Sequence, residues 1–181
     1  MKLKKISTII SLSLIMACGS AMAADPAPAA VDQGHGTVTF KGAIIEAPCS
    51  IAADSVEQTV QLGQVSTAAL KGGGTSSPRA FDIKLEGCDT TTKKLVSAAF
   101  AGTAKDGNLA LMGGTASGAT IVIQDSTGAD VKINGADAGK TVPIHPGVSL
   151  IHFSAHLKGD STGTIKTGEF TSVSTFSLSY P

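Results

Sequence analysis

The last fourteen residues of this 181-residue chain, Gly168 to Pro181, place Phe170, Phe176, Leu178 and Tyr180 on one face of an extended segment. A repeat of two with large apolar residues on one side predicts a β-strand with one buried face. Such a strand normally lies inside a sheet, because the face needs a second layer and the backbone needs a neighbour on each edge. This one runs to the last residue, so the neighbour on one edge is expected from another chain. Periodicity alone also permits, and by itself favours, an ordinary terminal strand paired within a complete sandwich.

The other end sets the compartment. Lys2, Lys4 and Lys5 precede an apolar stretch from Ile6 to Ala17, and Ala21-Met22-Ala23 offers a small-x-small cleavage site before Ala24. This is the pattern of a secretory signal peptide over residues 1–23, cut between Ala23 and Ala24. Ile15-Met16-Ala17-Cys18 loosely resembles a lipoprotein cleavage box, but the better peptidase site lies five residues on. The apolar stretch is shorter than the roughly 18 to 20 residues of a membrane helix, and no later segment comes closer, so no direct membrane insertion is expected.

Removing 23 residues that carry three lysines and no acid leaves 158, with 14 acidic side chains facing 11 basic ones. That size suits one domain, and the absence of a basic patch gives no reason to expect nucleic acid as a partner. Two cysteines remain, Cys49 and Cys88, and in an oxidising compartment a disulfide is their natural state.

Short alternating runs separated by Gly, Asp, Asn and Pro predict an all-β chain. Candidate strands are residues 37–45, 56–62 with Val56, Val60 and Leu62 in phase, 81–85, 95–100, 120–124, 130–133, 149–157 and 170–180. One short helix is expected over 66–71, capped by Ser66 or Thr67 and stopped by Gly72. This succession suggests an immunoglobulin-type β-sandwich. Residues 24–33, with Pro26, Pro28 and several alanines, bury little and read as a flexible arm. The arm leads into Gly34-His-Gly-Thr-Val-Thr-Phe40, where Gly36, Val38 and Phe40 share a face and Gly36 leaves a shallow position.

Catalytic and ligand-binding motifs fail on their context. Gly159-Asp-Ser-Thr-Gly163 fits a nucleophile elbow, but the turn should open a helix and precede a histidine, whereas the last histidine is His156. Gly135-Ala-Asp-Ala-Gly139-Lys140-Thr141 is one residue short of a phosphate-binding loop, and Pro143 and Pro146 oppose the helix it requires. His152 and His156 share a strand face about 13 Å apart, too far to hold one metal ion. Alternating with Ile151, Phe153, Ala155 and Leu157, they are expected on the polar face, toward solvent or another subunit. No acid–base dyad, metal site or cofactor site emerges, and the chain reads as a non-enzyme.

Five segments taken together resemble one family. They are Gly34-x-Gly-x-Val-x-Phe-x-Gly42, Ala47-Pro-Cys49-Ser-Ile51, the run from Ser55 to Gly63, Phe81-x-Ile-x-Leu-x-x-Cys88, and the tail with Gly168 fourteenth from the end and Tyr180 penultimate. Over the whole mature chain the sequence is similar to the structural subunits of chaperone-usher fimbriae, in particular the major rod pilins of the P-pilus and type 1 group. The resemblance reverses the preference for a complete sandwich.

It implies an incomplete immunoglobulin-like β-sandwich lacking its final strand. Residues 24–40 would be an N-terminal donor-strand extension, with Gly34, Gly36, Val38 and Phe40 as its signature, and residues 41–181 the pilin domain. Gly168, Phe170, Phe176, Leu178 and Tyr180 would form the acceptor groove and the strand bound by a periplasmic pilus chaperone. The implied partners are that chaperone, an outer-membrane usher, further copies of the chain and other pilus subunits. The implied destination is the cell surface, reached through the periplasm, where a fimbrium supports adhesion. A minor fimbrial subunit and a self-contained secreted immunoglobulin-like binding module are the alternatives.

Overall fold

Strand β1 (Ser50–Ile51) begins immediately after Cys49, whose disulfide to Cys88 brings the two Cα atoms within 4.2 Å. The bridge joins the start of β1 to the end of its antiparallel partner, β2 (Arg79–Cys88). Closing a loop of 39 residues contributes roughly 4 kcal/mol in the chain-entropy picture. The computed structural model describes residues 34–135 and 139–181. The predicted signal sequence, its Ala23–Ala24 cleavage site and residues 24–33 of the arm lie outside the described residues.

The remaining strands are β3 (Leu95–Gly102), β4 (Ala104–Lys105), β5 (Asn108–Ala110), β6 (Ala119–Asp125), β7 (Asp130–Val131), β8 (Val142–Pro143), β9 (Gly147–Gly159) and β10 (Ser174–Ser179). One sheet runs β1-β2-β9-β6-β5-β4, with β7 also paired to β6, and the second runs β10-β3-β8. Among the described residues the strand pairings of both sheets are antiparallel, consistent with the expected immunoglobulin-like sandwich.

Sequence alternation places the core directly. In β9, Ser149, Ile151, Phe153, Ala155 and Leu157 are buried while Val148, Leu150 and His152 are exposed. In β2, Ile83 and Leu85 are fully buried, and in β3 so is Val96, with Ala98 and Phe100 close behind. Phe81, Phe100 and Phe153 form an aromatic cluster joining the two sheets, with the Phe100 and Phe153 rings edge-to-face at 5.1 Å. β6 is buried on both faces from Ala119 to Ile123, which accounts for the unbroken apolar run Ile121-Val122-Ile123.

The short helix forms as expected: α2 (Thr67–Leu70) has Ser66 as its cap, the side-chain oxygen accepting from the Ala69 N–H at 3.3 Å, and Gly72 with φ +62° follows it. Several expectations require correction. Residues 56–62 are not a strand, because Val56 closes a one-turn helix, α1 (Ala53–Val56), that the alternation concealed. Inside that turn, buried Ser55 accepts the Lys84 N–H at 3.0 Å and takes the place of a strand partner for β2. Beyond it, residues 57–65 carry no regular secondary structure, although Val60 is half-buried and Leu62 and Val65 pack against the core.

Residues 37–45 likewise contain no strand, and Val38 and Phe40 are 74% and 90% exposed. An alternating segment becomes a strand only when a neighbour supplies the ladder. The strand expected over 130–133 ends at Val131, ahead of a turn in which Asn134 takes φ +57°. His156 is buried, contrary to its expected place on an exposed polar face, because it sits opposite the buried Val122 of doubly covered β6. Burial holds its pKa below the usual histidine value; nearby Lys158 adds to the effect and Asp130 opposes it.

Candidate functional site

The C-terminal segment alternates as read: Phe170, Ser172, Ser174, Phe176, Leu178 and Tyr180 are half-buried, while Glu169, Thr171, Val173, Thr175, Ser177 and Ser179 are exposed. Its ladder is shorter than the predicted strand, and only Ser174 to Ser179 pair with β3, in register from Ser174 opposite Gly102 to Ser179 opposite Ser97. The reason is a change of partner. Upstream, Thr171 donates its N–H to the Met112 carbonyl at 3.0 Å, and the Ser172 hydroxyl receives the Met112 N–H and donates to the Ala110 carbonyl.

Gly168 marks where this segment crosses residues 114–116. The Glu169 carbonyl accepts from the Thr115 and Ala116 N–H groups at 3.0 and 3.2 Å. At φ +152°, a Cβ on residue 168 would run into Thr115 Oγ1 and lie 2.7 Å from the Ala116 nitrogen. Gly114 is held from the other side, where a Cβ would meet the Glu169 carbonyl oxygen. Neither residue can carry a side chain without separating the two segments.

β10 ends its sheet: β3 lies on one side, and among the described residues no strand lies on the other. Phe170, Phe176, Leu178 and Tyr180 all pack against the core yet stay half-exposed, whereas the facing positions of β3 are almost completely covered. Phe176 reaches the aromatic cluster, its ring centroid 6.4 Å from that of Phe100. The Tyr180 hydroxyl is buried without a hydrogen-bond partner, and burial raises its pKa. Ile51, Leu62, Val65 and Phe81 are also half-buried against the core.

Residues 34–43 have no regular secondary structure, and a Cβ built on Gly36 meets nothing within 4 Å. Nothing in the described part of this chain therefore requires glycine at position 36. The rejected motifs take structural places. Asp160 of the Gly159–Gly163 stretch pairs with Lys105 at 2.6 Å beyond the end of β9, and Gly135 is part of a turn. Among the described residues, no group of three or more His, Cys, Asp or Glu could hold a metal ion, and no helix is long and apolar enough to cross a membrane.

Two positioning residues escaped the sequence reading. Asn134 copies a strand on the other edge of β3, accepting the Gly102 N–H at 3.1 Å and donating to its carbonyl at 2.8 Å through one side-chain amide. Only the Asn134-Gly135 pair it belongs to, a turn signal, hinted at it. Asp125 ties the hairpin after β6 to residue 140, accepting from Thr127, Ala129 and Lys140. Burial works to raise the Asp125 pKa, and these hydrogen bonds outweigh it, leaving the group below the usual aspartate value.

Comparison with known proteins places this geometry. The family model for fimbrial proteins matches residues 38–181. Fimbria A protein of Serratia marcescens is 48% identical over 183 residues, covering 99% of both chains. The major MR/P fimbria protein of Proteus mirabilis is 42% identical, again over 99% of both. Among solved structures, the P pilus rod subunit PapA superimposes with a TM-score of 0.64 at 32% identity, covering 75% of this chain and all of that one. A chaperone-usher pilus structure described in terms of rod uncoiling gives 0.71 at 31% identity over 83% and 98%. Matched along nearly the whole length of such relatives, the chain belongs to the fimbrial protein family and is a structural subunit of a bacterial surface fimbria.

Proposed function

We propose that this protein is the major rod subunit of its fimbria and polymerises by donor-strand exchange. Residues 24–40 of one copy lie along the open edge of β10 in the next, with Gly36, Val38 and Phe40 turned inward and Phe170, Phe176, Leu178 and Tyr180 forming the receiving wall. Residues 57–65 form the opposite wall, which accounts for Leu62 and Val65 packing against the core beside a backbone without a ladder. Gly36 then answers to a surface in the neighbouring copy, where a shallow residue lets the backbone come close. Before assembly a periplasmic chaperone occupies the same edge, and an outer-membrane usher receives the subunit.

The observation that carries this reading is an edge strand whose apolar face is only half covered. Completing the burial of four such side chains is worth about half of the usual 1.5 to 3 kcal/mol each, or roughly 3 to 6 kcal/mol in all. That approaches the whole stability of an ordinary domain, about 5 to 15 kcal/mol, so folding and assembly are coupled. β-Augmentation supplies the ladder hydrogen bonds in the same step.

The test compares residues 24–181 with the same chain extended after Pro181 by a linker and a second copy of residues 24–40. The first is expected to aggregate or unfold readily without a chaperone, and the second to be a soluble monomer with a much higher melting temperature. Equal stability and equally cooperative unfolding of the two would refute the proposal.

A further inference from the structure

The side chain that copies a strand beside β3 also belongs to a reactive pair. The chain has two asparagines: Asn134 precedes Gly135, whereas Asn108 precedes Leu109. An asparagine followed by glycine is open to attack by the next backbone nitrogen, because glycine has no Cβ to shield that nitrogen and leaves the backbone free to turn. Asn134 is exposed, so water and hydroxide reach it. Every group the reaction needs is nevertheless engaged. The side-chain amide bridges the Gly102 N–H and carbonyl at 3.1 and 2.8 Å, and the Asn134 N–H donates to the Phe100 carbonyl at 2.9 Å. The Gly135 N–H donates to the Lys132 carbonyl at 3.2 Å.

We infer that Asn134-Gly135 is a deamidation site closed by the fold, intact while the amide bridges Gly102 and converted in a chain whose turn is open. Hydroxide removes the Gly135 N–H proton, and the nitrogen bonds to Asn134 Cγ. The Cγ–Nδ2 bond breaks, and Nδ2 leaves as ammonia after taking a proton from water. Water then opens the cyclic imide at either carbonyl, giving aspartate or isoaspartate, with no oxidant or reductant required. To close the ring, Cγ must swing onto the Gly135 nitrogen, which surrenders the Gly102 bridge and the Lys132 bond together, so the reaction waits for local opening. The product cannot restore the bridge. A carboxylate only accepts, so the oxygen replacing Nδ2 meets the Gly102 carbonyl as a second acceptor, and isoaspartate adds a carbon to the backbone of the turn. Gly102 is also the β3 residue that pairs with Ser174, the first of β10. Conversion therefore strikes the point from which the terminal ladder starts, and it irreversibly marks a subunit that has waited unfolded.

The test compares assembled fimbriae of this chain with the same chain unfolded in urea, both held at mildly alkaline pH. Peptide mass spectrometry follows each asparagine over time, and enzymatic methylation counts isoaspartate. Asn134 in urea is expected to convert as fast as it does in a free peptide of residues 130–139. In the fimbriae it should convert about tenfold more slowly or less, while Asn108 stays intact in both. Equal rates in fimbriae and in urea would overturn closure by the fold, and no conversion of Asn134 in urea would overturn the site itself. The consequence is read with Asn134→Asp in the full chain, expressed in a host that assembles the fimbria. Fibre yield should fall, or the temperature at which fibres dissociate should drop by about 4 °C or more. Parental yield together with parental dissociation temperature would overturn the claim that conversion damages the edge of β3. Neither comparison depends on how the subunits are joined, so the result stands apart from the donor-strand reading.

Discussion

Replacing Gly168 with alanine tests the crossover from which the terminal segment is launched. Three costs can be read from the geometry. A non-glycine residue held at φ +152° costs about 1 to 3 kcal/mol. The new Cβ also collides with Thr115 Oγ1 and the Ala116 nitrogen, so the two segments must separate. Separation loses one or both hydrogen bonds from Thr115 and Ala116 to the Glu169 carbonyl, at about 0.5 to 1.5 kcal/mol each. Against this, alanine restricts the unfolded chain and returns about 0.4 to 1 kcal/mol. The net loss expected for Gly168→Ala is about 2 to 4 kcal/mol. Urea unfolding of the strand-complemented monomer measures it directly, and a fall in melting temperature of roughly 5 to 15 °C should accompany it. Gly36→Ala in the arm is the control for intrachain effects, since its Cβ meets nothing in the described structure. A Gly168→Ala protein within about 0.5 kcal/mol of its parent would show that the crossover is not tight and that the reasoning is wrong.

Three further outcomes are expected. Reducing the Cys49–Cys88 bridge, or replacing both cysteines with alanine, should lower stability by roughly 4 kcal/mol, read as a shift in the urea midpoint; an unchanged midpoint would deny the bridge its part in fixing β1 to β2. Asn134→Ala should cost about 1 to 3 kcal/mol by urea unfolding, because it strands the Gly102 backbone groups and leaves alanine at φ +57°, whereas Asn134→Gly should relieve the second cost. Two groups should shape the acid limb of stability in separate windows. His156 has a lowered folded pKa, so the unfolded chain takes up its proton first and stability declines as pH falls from 6.5 toward the folded value, a slope that His156→Gln should flatten. Asp125 is also lowered when folded, so its contribution is present above 3.8 and disappears as pH falls through the folded value; Asp125→Asn should remove that second decline.

The long strands were legible because each has one wet face and one dry face. β2, β9 and the tail declare themselves through alternation, and their registers put Ile83, Ile151 and Phe176 where periodicity placed them. Two-residue strands such as β1, β4 and β8 carry no period and are defined by what lies beside them. The same limit explains residues 56–62, where of the three residues read in phase only Leu62 packs against the core, the ladder is absent and Val56 belongs to a helical turn. His156 was misread because burial on its side depends on a strand more than thirty residues away. The importance of Gly168 was visible as part of a pattern, but its cause was not, since the atoms that exclude a side chain belong to Thr115 and Ala116, some fifty positions earlier.

Natural sheets protect their edges with lysine, proline, bulges or inward-pointing charges, and β10 has none of these among Ser174-Thr-Phe-Ser-Leu-Ser179. An uncharged, regular edge beside a partly bare apolar face does not discriminate among extended segments by repulsion. Any strand present at sufficient concentration competes for it, so under the proposed strand exchange fidelity becomes a matter of timing: the edge would have to pass from one occupant to the next without an interval in which it stands open.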